Sequence, residues 1–582
     1  MKRGVVAFIG SDPGRERVRA AAARFALSDI AGPSGLLLCA GAALRSRILP
    51  DGSIVLGDIF PLGGDPCTGS GDGWGNFLSF AGEGEGLRVE RAPITGLPLY
   101  WVRFGEGILF ASHLSLVETL LSDVEIDWEF VAQSLSCINL RTERTGLRGL
   151  VELLAGTRLQ YDGRAVRITS TWSPWDHVTP TLPPDAGELA RELERRLIAC
   201  HRAWTGSRRD ILLELSGGLD SSIVAAGLAG SGADFSAINF VTPRGDGDER
   251  MYARAVAARS GAELIEADLG GEDIDLIAPP AILQPRPVEY GVLKGIDAAF
   301  GKAAPASDAA IFSGIGGDNI FGFDSSVAPI FDAWESFGLS HRSLAALRDV
   351  ACTAGTTLWN ALALVRQARR NGRRRGWRRE TLFLSAGAVP EAPLPHPWDD
   401  GADDVGPGKR NHVEALRRIL DFLDRPGRWH DRDVVAPLLS QPVVEFCLSV
   451  PSWAWMTGGR DRAIARAAFA HRLPPEIVWR RGKGRIESVL VPAYLAQRSR
   501  LADLLLGGRL AAAGLIDSEA IEDYLSRDLA LGDFAYYRLL EIADVERWVR
   551  AAEAAPFFGP NSRQRSYCAD FAGSGSISSF SQ

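Results

Sequence analysis

The stretch Ser216-Gly217-Gly218-Leu219-Asp220-Ser221-Ser222 decides the fold, because it joins a run typical of a buried strand, ILLEL, to a helix of small residues, IVAAGLAG. Its two glycines let the backbone approach an anion closely, and its three hydroxyls and the amides that open the helix can donate to phosphate oxygens. Asp220 would repel such an anion unless a cation stood between them. We therefore predict a phosphate site with Mg²⁺, which typically takes one or two protein carboxylates.

A second glycine-rich stretch, Ser313-Gly314-Ile315-Gly316-Gly317-Asp318-Asn319, ends the strand-like run AAIFS. In an open parallel sheet, ligands bind outside the carboxyl ends of the strands. Two such strand ends that each carry an aspartate should therefore face one crevice. We predict Asp318 as the second Mg²⁺ ligand, beside Asp220.

Strands and helices alternate around both motifs. After ILLEL and its helix come a second strand FSAINFV, a helix MYARAVAARSG, a third strand ELIEADL and, later, AAIFSG. This alternation predicts a parallel sheet with helices on both faces. It begins after the Pro-rich stretch WSPWDHVTPTLPPDAG, which is typical of a linker.

Short strand-like runs separated by Gly, Pro and Asp precede the linker: VVAFIG, LLLCAG, SIVLGDIF, NFLSFAG, GLRVERA, LPLYWVRF and GILFASH. They predict a β-rich layer domain. Gly82, Gly84 and Gly86 in AGEGEGLRVE lack a following helix and a true GxGxxG spacing. A hairpin turn is therefore favoured over a dinucleotide site.

The predicted fold class is α+β and α/β. Residues 1–175 form the β-rich domain, residues 186–560 form the parallel-sheet domain with a helical carboxyl-terminal part, and residues 561–582 form a flexible tail. Between about 331 and 417 the helical pattern loosens into a basic run, LVRQARRNGRRRGWRRE, and a Pro-rich acidic stretch. This region is expected to be an insertion.

The composition excludes several classes of protein. The chain has 582 residues, of which 46% are apolar, so disorder is excluded as its main state. A formal charge of −8 argues against a protein that coats nucleic acid. Seven cysteines without CxxC spacing and eight histidines without HExxH offer little for a zinc site. Without a long uncharged apolar run, we expect a soluble cytoplasmic protein that binds neither membrane nor nucleic acid.

SGGLDSS followed by SGIGGD resembles the PP-loop ATP pyrophosphatase domain (adenine nucleotide α-hydrolase-like) of the asparagine synthetase family. Members of this family adenylate a carboxylate with ATP, release pyrophosphate and let an amine displace AMP. The chain has no GxxxxGK[ST] loop, which would indicate transfer of the terminal phosphate. Further matches are Asp248-Glu249 with Tyr252-Ala253, Leu423-Asp424-Arg425 and Arg480-Arg481-Gly482-Lys483-Gly484.

The resemblance implies ATP and Mg²⁺ as cofactors and a set of site residues. It implies that Asp220, Asp318 and Lys483 are catalytic and that the two aspartates hold the metal. Lys483 matches the lysine that steadies the charge building on the α-phosphate and pyrophosphate. Arg460 and Arg466 in GGRDRAIARAA either face phosphate or coat a helix. The residues expected to contact ATP or pyrophosphate are Ser216, Gly217, Gly218, Leu219, Asp220, Ser221, Ser222, Phe240, Val241, Gly314, Gly316, Gly317 and Lys483.

Three departures from the family concern the nucleophile and the acceptor. Lys2 stands where glutamine-dependent members carry a nucleophilic cysteine, so residues 1–175 resemble a degenerate class II glutaminase domain. Ile315 stands where asparagine synthetases have an acidic residue that deprotonates the incoming nitrogen. The segment 433–440, DVVAPLLS, lacks the arginine of their aspartate pocket. Ammonia and free aspartate are therefore disfavoured as substrates.

The lost glutaminase chemistry, together with SGIGGDNIFG, APLLSQPVVEFCLSVP and GGRDRAIARAAFAHRLPPEIVWRRGKG, resembles the lasso peptide cyclases. These macrolactam synthetases activate an Asp or Glu side chain of a precursor (core) peptide, which its new amino-terminal amine attacks. Because a peptide amine has an ordinary pKa of about 7.7 to 8.0, a useful fraction is neutral without a base at position 315. The resemblance implies a leader peptidase and a leader-binding protein of the same pathway as partners.

Such a reaction needs a pre-folded peptide and hence a shaped cavity, whose walls we expect in the amino-terminal layer and in region 331–417. The arginine run from Arg366 to Arg379 either docks an acidic precursor or partner, or is a solvated loop. Trp377 within it favours a contact role.

Other functions stay open at this point. An asparagine synthetase-like or β-lactam synthetase-like small-molecule amide synthetase would use the same adenylation, although β-lactam synthetases carry a tyrosine where this chain has Ile315. A tRNA-modifying PP-loop enzyme has only the arginine run in its support. A non-catalytic scaffold would have no need for Asp220 and Asp318 beside a phosphate loop.

Overall fold

The computed structural model describes most of the chain. The described residues are 2–61, 73–84, 86–178, 185–242, 248–270, 274–287, 291–304, 309–323, 326–370, 377–424, 432–480, 482, 484, 487–530 and 532–558. The predicted tail, 561–582, lies outside them. Within the described part of the chain, no helix has both the length and the apolar character needed to cross a membrane.

In the residues that the structure describes, the amino-terminal domain has two antiparallel sheets and the α-helices α1 and α2. One sheet has the order β10-β8-β9-β1-β3-β2 and the other the order β12-β11-β7-β6-β5-β4. The elements are β1 (Val5–Ile9), α1 (Asp12–Ala23), β2 (Ser28–Asp29), β3 (Leu36–Ala40), β4 (Ser46–Ile48), β5 (Ile54–Pro61), β6 (Gly73–Glu83), β7 (Gly86–Arg91), β8 (Tyr100–Phe104), β9 (Gly107–Ala111), α2 (Trp128–Ser136), β10 (Val151–Glu152), β11 (Thr157–Tyr161) and β12 (Val166–Ser170).

Alternation along β1 explains the layering of this domain. Val5 and Ala7 belong to the core between the two sheets, whereas Val6 and Phe8 belong to a second core that includes Val18 of α1. Successive side chains of a strand point to opposite faces, so a strand that is apolar on both faces lies between two layers. The predicted β-rich layer domain is confirmed.

The glycine-rich AGEGEG segment joins β6 to β7. These strands are antiparallel, and Glu83 pairs with Gly86 at the turn. Gly84 has a φ of +59°, in the left-handed region that glycine adopts without strain. The prediction of a hairpin in place of a dinucleotide site is therefore confirmed.

The second domain alternates strands with helices and ends in helices. Its elements are α3 (Ala186–Thr205), β13 (Ile211–Glu214), α4 (Leu219–Ser231), β14 (Ser236–Val241), α5 (Arg250–Ser260), β15 (Glu263–Asp268), α6 (Gly291–Ala303), β16 (Ala310–Phe312), α7 (Gly317–Ile320), α8 (Ala328–Phe337), α9 (His341–Thr353), α10 (Leu358–Arg370), α11 (Pro407–Leu420), β17 (Val434–Val435), α12 (Gln441–Ser449), α13 (Ala463–Phe469), α14 (Pro475–Val478), α15 (Glu487–Leu506), α16 (Arg509–Ala512), α17 (Ser518–Ser526) and α18 (Ala535–Ala554).

The sheet of this domain has the order β15-β14-β13-β16-β17, and every pair in it is parallel. The predicted parallel sheet is confirmed. Strand β13 is central, with β16 directly beside it, so both glycine-rich motifs follow adjacent strands. Strand β17 was not predicted, because its two residues are too few to show a strand pattern.

Region 331–417, which was expected to be loosely patterned, contains most of α8, all of α9 and α10, and part of α11. Ala361 and Val365, one helical turn apart on α10, are buried, whereas Trp359 and Leu364 are exposed. The exposed apolar residues and the adjoining arginines obscure the helical spacing in the sequence. Residues 371–376 of the arginine run lie outside the described part of the chain.

A buried ionic cluster joins the two domains. Glu152 of β10 accepts hydrogen bonds at 2.7 Å from Arg91 and from Arg141, and Arg141 also pairs with Asp424. Arg286 donates to Asp424 at 3.0 Å. Burial raises the pKa of Asp424, but the three guanidiniums outweigh it and lower that pKa to about 2. The two domains therefore share a buried cluster of ion pairs across their boundary.

Candidate nucleotide site and its family

The loop after β13 is tightly enclosed. Gly217 has a φ of +74°, and a Cβ on it would lie 2.6 Å from the Cβ of Tyr252 and 2.8 Å from the backbone nitrogen of Ala253. Only glycine fits this close approach and this conformation. Tyr252-Ala253, which the sequence matched to the family, thus contacts the predicted phosphate loop.

The three serine hydroxyls of this loop have different surroundings. The Ser216 Oγ is exposed, lies 3.1 Å from the Ser221 Oγ and accepts from the Gly218 backbone nitrogen at 3.2 Å. Ser222 is fully buried and donates its hydroxyl hydrogen to the Gly218 carbonyl oxygen at 2.7 Å. Ser216 is thus open to an anion, whereas Ser222 stabilises the first turn of α4 in this structure.

The second glycine-rich loop lies against the first. A Cβ on Gly314 would lie 2.6 Å from the backbone nitrogen of Ser221, and one on Gly317 would lie 2.6 Å from Asp220 Oδ1. Gly316 has a φ of +90°, at the start of α7. The expectation that the two strand ends face one crevice is confirmed, and it is the absence of side chains at 314 and 317 that permits the contact.

Asp220 and Asp318 converge on one guanidinium nitrogen. Arg462 Nη1 lies 3.1 Å from Asp220 Oδ1 and 2.5 Å from Asp318 Oδ1. The Arg462 side chain is only 6% exposed, and its Nε donates to Asp461 at 2.8 Å. Burial lowers the pKa of Arg462, but the three carboxylates outweigh it and raise that pKa above its ordinary value.

Sequence reasoning singled out Arg460 and Arg466 but missed Arg462 between them. The Arg460 guanidinium lies over the Trp479 ring at 4.4 Å. Arg466 donates to Asp461 at 3.0 Å and to the Val478 carbonyl oxygen at 2.6 Å. Arg462 has a φ of +54° at the start of α13, and this turns its side chain toward the acids. A spacing pattern alone gives no signal for such a turn.

Arg480 and Gly484 are linked to the phosphate loop by Glu249. Its carboxylate pairs with Arg480 at 2.6 Å and accepts from the Gly484 backbone nitrogen at 2.8 Å. Arg480 also donates to the Gly217 carbonyl oxygen at 3.2 Å and lies over the Tyr252 ring at 3.9 Å. Lys483 itself lies outside the described residues, so its role stays a prediction.

The end of β14 borders the same loop. Phe240 and Val241 are half-buried there, and Asn239 donates from Nδ2 to the Leu215 carbonyl oxygen at 2.8 Å. Asn239 is buried and holds the strand end to the start of the loop, a role that the sequence did not reveal. Contacts of Phe240 and Val241 with a nucleotide stay a prediction.

The site fits a magnesium ion bound together with phosphate. Mg²⁺ is bound by one or two carboxylates and completes its shell with phosphate oxygens and water. Asp220 and Asp318 already meet at a single cationic atom. Among the described residues, no group of three or more His, Cys, Asp or Glu side chains could hold a metal by itself. A metal at this site would therefore take the rest of its ligands from phosphate oxygens and water.

A cavity of about 2270 Å³ begins at Asn319, the residue after Asp318, although neither Asp220 nor Asp318 lines it. Asn319, Gly322 and Phe323, which follow Asp318, form its edge, and the Arg462 guanidinium lies 5.3 Å from the centre of the Phe323 ring. Other parts of its wall come from α8, α10 and α11 and from Leu140 and Trp175 of the amino-terminal region. The lining thus comes from the two regions in which we expected walls, and its role in holding a peptide stays a prediction.

Trp377, within the arginine run, also lines this cavity. It is buried, donates from Nε1 to the Ile138 carbonyl oxygen at 3.1 Å, and has Arg417 and Arg418 over its ring at 5.0 and 4.6 Å. Arg417 pairs with Asp399 at 2.7 Å. Trp377 therefore packs the cavity wall against the amino-terminal domain.

Residues 192–550 match the asparagine synthase family. The match spans both glycine-rich loops, Arg462 and the segment 480–484, and it covers more than half of the chain. The chain belongs to the asparagine synthase family. As a member of that family it is an ATP-dependent ligase that joins carbon to nitrogen and forms amides.

The solved structures that match the chain do not extend this family assignment. Two of those that match this family member are titled "structure of the allosteric regulatory enzyme of purine biosynthesis" and "glutamine phosphoribosylpyrophosphate (PRPP) amidotransferase from B. subtilis complexed with ADP and GMP". Both cover 48% of this chain, and 82% and 83% of their own, at 10% and 9% identity and TM-scores of 0.19 and 0.18. Such low scores carry no argument about the fold. No curated protein matches the chain in sequence.

Proposed function

We propose that this ligase closes a macrolactam in a lasso precursor peptide. It adenylates an Asp or Glu side chain of the core peptide, and the amino-terminal amine of the same peptide then forms the isopeptide bond. The observation that supports a peptide over a small molecule is the cavity of about 2270 Å³ whose edge includes Asn319, the residue after Asp318. Sites for small molecules usually measure about 300 to 1,000 Å³.

The first step forms a mixed anhydride. A carboxylate oxygen of the peptide attacks the α-phosphorus of ATP, the bond from that phosphorus to the bridging oxygen breaks, and pyrophosphate leaves. We expect Ser216, which is exposed, and the amides at the start of α4 to donate to phosphate oxygens. Mg²⁺, when bound at Asp220 and Asp318, would neutralise charge on the phosphates.

The second step forms the amide. The neutral amine attacks the activated carbonyl carbon, the bond from that carbon to the AMP oxygen breaks, and the amine proton passes to water. Ile315 packs against the apolar core of the domain, so this position supplies no base. The ordinary pKa of an amino terminus, about 7.7 to 8.0, leaves part of the amine neutral at neutral pH.

The amino-terminal domain is proposed to act as a wall of the cavity and not as a glutaminase. Burial and the hydrogen bond with Asp29 raise the pKa of the Cys39 thiol to about 12, and burial raises the pKa of Cys137. Thiols of this kind are poor nucleophiles because little thiolate forms at neutral pH. Leu140 and Trp175 instead contribute to the cavity lining.

The test uses the full chain with ATP, Mg²⁺ and synthetic linear peptides that have a free amino terminus and one internal Asp or Glu at successive positions. We expect one peptide series to lose one water mass while AMP and pyrophosphate appear in equal amounts. Asp220→Ala and Lys483→Ala should each lower pyrophosphate release about 10²-fold or more. Turnover like the parent in both variants would contradict the site.

Two matched peptides separate the steps. An amino-terminally acetylated peptide should support pyrophosphate release without ring closure, and a peptide with Asn or Gln in place of the acid should support neither. Pyrophosphate release with free amino acids or other small carboxylates, but with none of the peptides, would support the small-molecule synthetase instead. Release that depends on tRNA would support the tRNA-modifying alternative.

A further inference from the structure

The contact of Arg462 with Asp220 and Asp318 relieves the electrostatic repulsion between the two carboxylates. Two carboxylates that face one crevice repel each other, and burial makes that repulsion stronger because little water screens it. The Arg462 guanidinium, only 6% exposed, lies between Asp220 and Asp318 and offsets the repulsion. The pair of acids is thus already neutralised in part before any metal arrives.

A bound metal needs the same place. Mg²⁺ binds carboxylate oxygens at about 2.0 to 2.1 Å and repels a neighbouring cation. Arg462 Nη1 lies 3.1 Å from Asp220 Oδ1 and 2.5 Å from Asp318 Oδ1. This nitrogen therefore occupies the point toward which both carboxylates converge. An ion that bridged these two oxygens and the Nη1 group would therefore occupy overlapping positions.

We propose that Arg462 is a positioning residue that holds Asp220 and Asp318 together in the metal-free enzyme and is displaced when a divalent cation binds them. The Nε contact with Asp461 at 2.8 Å gives the displaced side chain a pivot, and the face of Phe323, 5.3 Å away, adjoins it on the cavity side. The inference rests on the metal site of the proposed function, not on the peptide substrate.

Displacement has a measurable consequence. When the state that binds a ligand is only fractionally populated, the apparent affinity falls by that fraction. Removing the guanidinium should therefore strengthen metal binding in the absence of nucleotide, although most variants near a metal site weaken it. If the conformation in which Arg462 has moved away from the two acids makes up about one tenth of the protein, Arg462→Ala should bind the metal about tenfold more tightly.

The experiment titrates the full chain with Mn²⁺ and follows the free ion by electron paramagnetic resonance, without nucleotide or peptide. Arg462→Ala should bind Mn²⁺ about tenfold more tightly than the parent. Arg254→Ala is the matched control, because it removes an arginine that pairs with Glu266 at 2.6 Å and not with the acids. Affinity in Arg462→Ala that is equal to or weaker than that of the parent would overturn the proposal.

A second measurement uses the unaltered protein, in case Arg462→Ala does not fold. Phenylglyoxal modifies accessible arginines, and peptide mapping by mass spectrometry reports each site. Arg462 should react several-fold faster when Mn²⁺ saturates the protein, whereas equal or slower reaction would overturn the proposal. Neither measurement involves turnover, so failure of peptide cyclisation and failure of this inference are distinguishable.

Discussion

The carboxylate of Glu249 accepts a hydrogen bond from the backbone nitrogen of Gly484 at 2.8 Å. The same carboxylate pairs with Arg480 at 2.6 Å, and Arg480 donates to the Gly217 carbonyl oxygen. Glu249 therefore holds Arg480 and Gly484, which flank Lys483 in the sequence, close to the phosphate loop. This link depends on one half-buried carboxylate, whose side chain is 17% exposed.

Replacing Glu249 with Gln should slow adenylation while the fold is retained. The amide keeps the shape of the side chain but loses the charge that orients Arg480, so we expect Arg480 and Gly484 to shift relative to the loop. Displacement of about 1 Å can cost about 10²-fold in rate, and we expect pyrophosphate release to fall about 10- to 100-fold. Glu266→Gln on β15, which pairs with the exposed Arg254, is the control, and an equal loss in both variants would contradict the role of Glu249.

Gly317→Ala should weaken metal binding. The new Cβ would lie 2.6 Å from Asp220 Oδ1, which forces that carboxylate away from Asp318. Changes that misplace a metal ligand indirectly typically cost about 10- to 100-fold in affinity, and we expect this loss for Mn²⁺. Gly301→Ala on α6 has no atom within 4 Å of the new Cβ and should bind Mn²⁺ like the parent.

Glu152→Gln should destabilise the protein strongly. Glu152 is fully buried between Arg91 and Arg141, so its loss leaves guanidinium charge uncompensated in the interior. Breaking such a buried pair costs about 3 to 5 kcal/mol of unfolding free energy, measured by denaturant titration. Glu90→Gln, whose partner Arg158 is 38% exposed, should cost less than about 1 kcal/mol. Equal losses would show that the buried ionic cluster between the domains contributes little.

His201 should make the fold sensitive to acid. Burial lowers its pKa from 6.5 to about 4, since the ring is fully enclosed and packs against Gly227. The unfolded chain binds the proton first as pH falls below 6.5, so the unfolding free energy should fall by about 1.4 kcal/mol per pH unit until about pH 4.

The measurement is denaturant titration from pH 8 to pH 4 with His201→Gln as comparison. At pH 8 both side chains are neutral, so the difference there gives the cost of the substitution itself. Below pH 6.5 the parent should lose stability more steeply than the variant. Parallel pH profiles would mean that the His201 ring takes up a proton in the folded state.

Much of the fold follows from local patterns. The runs VVAFIG and ILLEL form β1 and β13, because alternation or continuous apolarity fixes which faces are buried. Both glycine-rich loops could also be predicted from the sequence, because glycines next to an aspartate at the end of a strand are typical of a loop that binds an anion and a metal. Helix α10 and strand β17 could not be predicted from the sequence. Arginines obscure the helical pattern of α10, and β17 has only two residues.

The sequence by itself determined the parallel sheet, the two loops at its carboxyl edge and the presence of an acid on each, because these depend on residues that are close in the chain. Only the tertiary structure decided that Arg462, and not Arg460 or Arg466, lies between Asp220 and Asp318, and that a large cavity begins at Asn319. Arg462 and Asp220 are 242 positions apart, and their contact depends on a left-handed turn at the start of α13. Such contacts are set by packing of the whole domain, which no local pattern records.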